Sequence, residues 1–193
     1  MAKISKYNHE GYKDLTPYEA LKRVKDPRRQ IQGAQAKVVG QYFEKMIDAA
    51  CRYYEDRQIA VIEKTPEPMR PIKSLGGGKF VAHYEKQAQP DYKGTLANGR
   101  AIVFEAKYTS ADKIEQSRLT EEQCERLQKY SELGAIAFIL VSVDLQNFYR
   151  VPWTVWRDMK EIYGHKHMTI EELEPFKIKA TGGIIRFLEG VEK

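Results

Sequence analysis

Apolar and polar positions alternate along the chain in two periods, and the switches between them mark out the elements. Between Ala34 and Glu55, Ala34, Val38, Tyr42, Met46, Ala49 and Tyr53 recur at three- and four-residue spacing, which predicts a long helix with one packed face. Ile59 to Ile62 is a short apolar run and predicts a buried strand. Lys79 to Lys86 alternates Phe80, Ala82 and Tyr84 against Val81 and His83, and with Met69 to Leu75 it flanks Gly76-Gly77-Gly78, a pattern that builds a β-hairpin with a glycine tip. Strands are predicted at Ala101–Lys107, Ala135–Val143 and Asn147–Val151, with paired strands near Phe176–Lys179 and Ile184–Phe187. Helices are predicted from Thr16-Pro-Tyr-Glu19 to Lys25, from the capping box Thr120-Glu-Glu-Gln123 to Leu133, and from Pro152 to Ile162, with a capped turn at Thr169 to Glu172. The basic stretch Arg28-Arg29-Gln30-Ile31-Gln32 reads as a link between the first two helices.

Helices interspersed with strands, without a repeat, predict an α/β domain around a mixed central sheet flanked by helices. At 193 residues, 42% of them hydrophobic, the chain is long enough for one sizeable core. The organisation expected is an N-terminal arm over 1–32, a main domain over 33–193, and a projecting hairpin stalk over 69–86. The longest purely apolar run, Ala135 to Val141, is far too short to span a bilayer, and the first residues carry no hydrophobic signal segment. The expectation is therefore a cytoplasmic protein without a membrane partner. Cys51 and Cys124 lack metal-ligand spacing and read as reduced thiols.

Charge adds a partner to this picture. The net +5 is concentrated at the start: residues 1–40 hold 9 Lys/Arg against 4 Asp/Glu, and residues 91–193 hold 15 against 16. A basic arm containing Arg28 and Arg29, together with a hairpin bearing Lys73, Lys79 and Lys86 beside Phe80 and Tyr84, suits nucleic acid: cations for phosphates and aromatic rings for exposed bases.

The candidate chemistry lies between these basic segments. Pro90-Asp91 is followed, after thirteen positions, by Glu105-Ala106-Lys107. On a strand, Glu105 and Lys107 share a face. If Asp91 starts the neighbouring strand across the Asn98-Gly99 turn, two carboxylates and an ammonium converge. That group suits metal-assisted phosphodiester hydrolysis, with Asp91 and Glu105 as oxygen ligands for Mg²⁺ and Lys107 acting on the attacking water or the developing phosphate charge. His165 and His167 lack a third ligand and read as a surface turn, while Trp153 and Trp156 read as core or interface residues.

These residues carry a resemblance. Pro90-Asp91 with Glu105-x-Lys107 resembles the PD-(D/E)xK nuclease motif. Gly40-Gln-Tyr-Phe-Glu44, Ile59 to Ile62, Asp91-Tyr-Lys-Gly94, Phe104 to Lys107, Gln123 and Phe138 to Ser142 resemble the RecU-type Holliday junction resolvases in the same order, over about residues 33–190. The resemblance implies a single restriction-endonuclease-like domain and a homodimeric, Mg²⁺-dependent endonuclease, with Mn²⁺ as a substitute, that nicks four-way DNA junctions in recombination and repair. It implies a metal-site role for Gln123, a supporting acidic role for Glu44, a stalk at 69–86 that enters the junction, and a recombinase as a further partner, in a host cell or a phage-infected cell. In place of the hydroxyl residue often found two positions before the aspartate stands Gln89. A flap or duplex-end nuclease of the same fold, and a non-catalytic junction-binding or recombinase-modulating protein, remain as alternatives.

Overall fold

The computed structural model describes residues 27–66, 68–84 and 89–191, of which 27–34 and 84 are described by backbone alone. The helix predicted from Thr16 and the residue Lys86 lie outside them. The chain divides into two compact units, residues 1–39 and 40–193. Helix α1 (Pro27–Asp56) begins earlier than its apolar period predicts. Proline suits a first helical turn, where its missing N–H is not needed, so the stretch read as a basic link is helical from its first residue.

In the second unit six strands form one mixed sheet: β1 (Ala60–Lys64), β4 (Tyr92–Leu96), β5 (Ala101–Thr109), β7 (Ile136–Val143), β8 (Asn147–Pro152) and β10 (Lys177–Ile178), side by side in that order. β5 and β7 are parallel, and the other neighbours are antiparallel. Between β5 and β7 runs helix α2 (Glu121–Glu132). It starts at the expected capping box on Thr120 and stops at Gly134, whose φ of 85° is a left-handed helix end.

Two cores lie on the two faces of the sheet. On one face, Phe43, Ile47, Ala50, Cys51 and Tyr54 of α1 pack on Ile62, Tyr92, Phe104, Phe138 and Phe187. The buried stripe of α1 is thus rotated from the predicted one: Val38 and Tyr42 are 65% and 57% exposed. Both stripes obey helical spacing, and burial falls to the one carrying Phe43 and Ile47. On this face three adjacent strands are locked by a ladder of rings. Tyr92 stacks on Phe104 at 4.9 Å and Phe104 on Phe138 at 4.7 Å, each pair directly opposite in register. Each such contact contributes about 0.5–1.5 kcal/mol beyond burial. The other face packs Val103, Ile139, Val141, Tyr149 and Val151 against Leu127, Trp153, Trp156 and Met159, so both tryptophans are core residues.

Three local expectations are corrected. The helix from Pro152 is two short ones, α3 (Trp153–Arg157) and α4 (Met159–Tyr163), broken at Asp158, which lets Trp156 and Met159 both reach the core. The paired strands near the C-terminus meet only at their ends, where the Arg186 N–H donates to Lys179 O at 2.8 Å, and Lys177–Ile178 extends the main sheet beside β8. The tight Gly182-Gly183 turn folds β11 (Ala180–Thr181) onto β12 (Ile184–Ile185) instead. His167 lies in strand β9 (His167–Thr169), paired with β6 (Lys113–Glu115), before the capped helix α5 (Ile170–Leu173).

The hairpin forms as expected: β2 (Met69–Gly76) pairs with β3 (Lys79–Tyr84) as a separate sheet. Every residue of β2 is exposed. All three tip glycines have φ between 58° and 80°, a region that penalises any side chain. Among the described residues no helix is long and apolar enough to cross a membrane.

Candidate active site

The ring ladder fixes what the opposite face of the same strands presents. Because Ile102, Phe104 and Ala106 face α1, alternation turns Val103, Glu105 and Lys107 to the other side. Tyr92 also faces α1, so Asp91, just before it, points toward Glu105. Asp91 is anchored at both ends. Its backbone carbonyl accepts from Thr65 N at 2.8 Å, and its Oδ2 accepts from the backbone N–H of Ala106 at 3.0 Å, across the β4–β5 pair. Thr65 also donates from its hydroxyl to Pro90 O at 2.6 Å.

Glu105 is fully buried. Its Oε2 accepts from Lys107 Nζ at 3.2 Å and from Gln123 Nε2 at 2.6 Å, while its Oε1 is buried with no hydrogen-bond donor among the described residues. Burial first, and then the facing Asp91 carboxyl, push Glu105 up to about 8, against a smaller lowering by Lys107. The pair Asp91 and Glu105 is thus held together at a cost that a cation between them would relieve. Among the described residues no group of three His, Cys, Asp or Glu side chains could hold a metal ion. Two carboxylates with one donor-free buried oxygen nevertheless fit a hard divalent cation, which fills its remaining positions with water and substrate oxygens.

Gln123 meets the site through its nitrogen. Its Oε1 accepts the Thr120 backbone N–H at 3.1 Å, closing the capping box, so the same side chain starts helix α2 and holds Glu105. The capping box is as the sequence predicts; toward the acidic pair Gln123 presents its amide nitrogen, a donor to Glu105, while its oxygen, the atom a metal-site role would use, is taken by the Thr120 N–H. Glu44 lies on the α1 side of the sheet. There its Oε2 pairs with Lys64 Nζ at 2.8 Å, and Tyr92 donates from its hydroxyl to Asp48 at 3.0 Å. Among the described residues no hydrogen bond joins Glu44 to Asp91, Glu105 or Lys107. Its link to the site runs through Lys64, whose ammonium is held above the usual lysine range by its hydrogen bond to Glu44 and the charges of Glu44, Asp48 and Asp91, outweighing burial. Sequence reading missed Lys64 as a site residue. The signal available was its position two after Ile62 on the packed face of β1.

Gln89 accepts from Lys93 Nζ at 2.7 Å beside this group. Lys73, Lys79 and Phe80 stand exposed on the hairpin, away from the carboxylates in sequence and sheet. Tyr84 ends β3, and its side chain lies outside the described residues, as do those of Arg28 and Arg29 on α1. His165 stacks on His167 at 3.9 Å and pairs with Glu172 at 3.3 Å, apart from the acidic pair.

Comparison with known proteins yields matches over most of the chain. The profile of the RecU family, Recombination protein U, matches residues 38–193. A Holliday junction resolvase RecU of Streptococcus sanguinis is 34% identical over 120 residues, which span 58% of this chain and 60% of that protein. Its counterpart in Streptococcus pneumoniae serotype 19F is 29% identical over 152 residues, 75% of this chain and 76% of that protein. The chain thus spans about 60% of the length of the first of these relatives. Among solved structures, Hjc of Archaeoglobus fulgidus, a Holliday junction resolvase, covers 69% of this chain and 93% of its own at 11% identity, with a TM-score of 0.45.

Proposed function

The chain belongs to the RecU family, and on that premise we propose that it is a divalent-metal-dependent endonuclease that cuts four-way DNA junctions, with Asp91, Glu105 and Lys107 as its chemical centre. The observation that carries this reading is the facing pair of Asp91, just before β4, and Glu105 of β5, with Lys107 bonded to Glu105.

Asp91 and Glu105 would hold the metal, Mg²⁺ by preference with Mn²⁺ as a substitute. When bound, it supplies polarisation of the scissile phosphate and a water of lowered pKa. The chain's own residues do the rest. The Ala106 N–H fixes Oδ2 of Asp91 and so holds this carboxylate beside Glu105. Gln123 and Lys107 both grip Oε2 of Glu105, which leaves Oε1 as the oxygen offered to a cation. Lys107, 14% exposed, is near enough to solvent to meet a phosphate oxygen or an attacking water and to balance charge developing there. Glu44 would steady the rim through Lys64.

The basic arm over 1–32 with Arg28 and Arg29, and the stalk over 69–86 with Lys73, Lys79, Phe80, Tyr84 and Lys86, would grip the branched DNA; a second copy of the chain would supply the second nick. A synthetic four-way junction with Mg²⁺ tests the reading. Paired nicks by the wild type and none by Asp91→Asn are expected; no cleavage by the wild type, or equal cleavage by the variant, overturns it.

A further inference from the structure

Beyond β7 from the carboxylate pair, at the edge of the sheet, a cleft of about 270 Å³ opens between β8, β10 and the C-terminal segment. Arg150, Lys177, Lys179 and Arg186 line it, against the single carboxylate of Glu189. The sequence hid this concentration, because residues 91–193 are almost charge-balanced as a whole. Folding sorts the charges by bringing β8, β10 and the turn after β12 together.

Two of these cations, Arg150 and Arg186, are half-buried and held in place without being neutralised, while Lys179 stands exposed. Arg150 stands directly opposite Leu140 of β7, which places it on the α1 face. Its Nη1 donates to the carbonyls of Phe187 at 2.8 Å and Glu189 at 2.9 Å, and burial lowers its pKa. Next to it, Arg186 lies over the Tyr53 ring at 4.0 Å and Arg57 at 3.7 Å. The Tyr53 ring thus attracts and helps to fix both guanidinium groups. Among the described residues no carboxylate forms an ion pair with Arg57, Arg150, Lys179 or Arg186. Of the lining cations only Lys177 is paired, with Glu174 at 2.7 Å.

Two half-buried, oriented and unneutralised guanidinium groups beside an exposed, unpaired ammonium are built for an anion with several oxygens. We propose that this cleft, through Arg150, Lys179 and Arg186, binds the phosphodiester backbone of a duplex arm away from the strand being cut. The inference rests on the junction-cutting reading for its choice of polyanion. Its location supports an arm contact, since β10 lies three strands from β5, about 14 Å at normal strand spacing, and Arg150 faces the side opposite Glu105. Such a contact anchors the DNA without touching the reacting phosphate.

The test measures binding of full-length protein to a four-way junction and to linear duplex, with Ca²⁺ replacing Mg²⁺, across a series of salt concentrations. Lys179→Gln with Arg186→Gln should weaken junction binding about tenfold and reduce the slope of log K against log salt by roughly one to two, at about 0.9 for each phosphate no longer neutralised. Arg186→Lys should restore part of the slope, and single-turnover cleavage at saturating protein should be unchanged. Unchanged affinity and slope in the double variant, with wild-type melting behaviour, overturns the proposal. So does loss of polyglutamate binding with DNA binding intact, which would assign the cleft to an acidic protein. If the wild type binds DNA but cuts no junction, the functional reading fails while the salt slopes still decide the cleft.

Discussion

Gln123 donates from Nε2 to Glu105 Oε2 at 2.6 Å while its Oε1 accepts the N–H of Thr120 at 3.1 Å, so the residue that begins α2 also orients the buried carboxylate. The two functions separate by substitution. Gln123→Glu keeps a side chain able to close the capping box but places a second carboxylate against Glu105. Gln123→Ala removes both hydrogen bonds. Helix stability should fall by about 1 kcal/mol in the alanine variant and little in the glutamate variant. Junction cleavage should fall in both, by roughly ten- to a hundredfold, as for other groups that orient a metal ligand. Thermal melts alongside single-turnover rates check this; equal activity of Gln123→Glu and wild type would assign Gln123 to the helix alone.

Glu105 carries a pH dependence of definite sign. Its folded-state pKa is raised from 4.5 to about 8 by burial and the Asp91 charge. Across that window the folded state binds more protons than the unfolded state, so this group's contribution to stability declines as pH rises from about 4.5 to about 8. Glu105→Gln removes the titration. In metal-free buffer the melting temperature of Glu105→Gln should therefore gain on wild type steadily over this window and level off above it. Added Mg²⁺ should narrow the gap for wild type only, with proton release on binding below pH 8. A constant difference across the window would show that Glu105 ionises normally.

Much of this site was legible because a strand's two-residue period is rigid. Once Ala101–Lys107 is a strand, Glu105 and Lys107 must share a face, and the Asn98-Gly99 turn brings Asp91 alongside. What escaped the sequence depends on choices that period alone does not make. The helix α1 has two stripes at helical spacing, and only contact with Phe104 and Phe187 selects Phe43 and Ile47 over Val38 and Tyr42. The partner of Lys177–Ile178 follows from a two-glycine turn that begins four residues later, and the cationic cleft from residues far apart in the chain.

The ion pair of Glu44 with Lys64 tests whether the α1 side matters to the chemistry. Both side chains are nearly half exposed, at 40% and 46%, so the pair itself should stabilise the fold by less than about 1 kcal/mol. If Glu44 steadies the rim by holding Lys64 near Asp91, Glu44→Gln should leave the melting temperature almost unchanged while slowing junction cleavage severalfold. Lys64→Gln should slow it to a similar degree, and the double variant no further. Additive losses would mean that the two act separately.

Gly94 gives the sharpest structural prediction, because it couples the edge of the sheet to the acidic pair. A Cβ there would run into the carbonyl of Val61 and lie 2.7 Å from the Cα of Ile62, both on β1. These are backbone atoms, so no rotamer change relieves the overlap. β1 must shift away from β4, disturbing the register in which Lys64 lies opposite Tyr92 and Thr65 holds Asp91. Gly94→Ala should cost about 1–3 kcal/mol or more in urea unfolding. Because Asp91 loses its outer anchor, divalent-cation affinity, read by calorimetry in the fraction that remains folded, should drop as well. Gly99→Ala is the control: its Cβ would meet open space, and its positive φ of 82° makes it costly for backbone strain alone. It should lower stability and leave cation affinity as in the wild type. Loss of affinity in both variants would show that general destabilisation, and not the β1–β4 contact, governs the site.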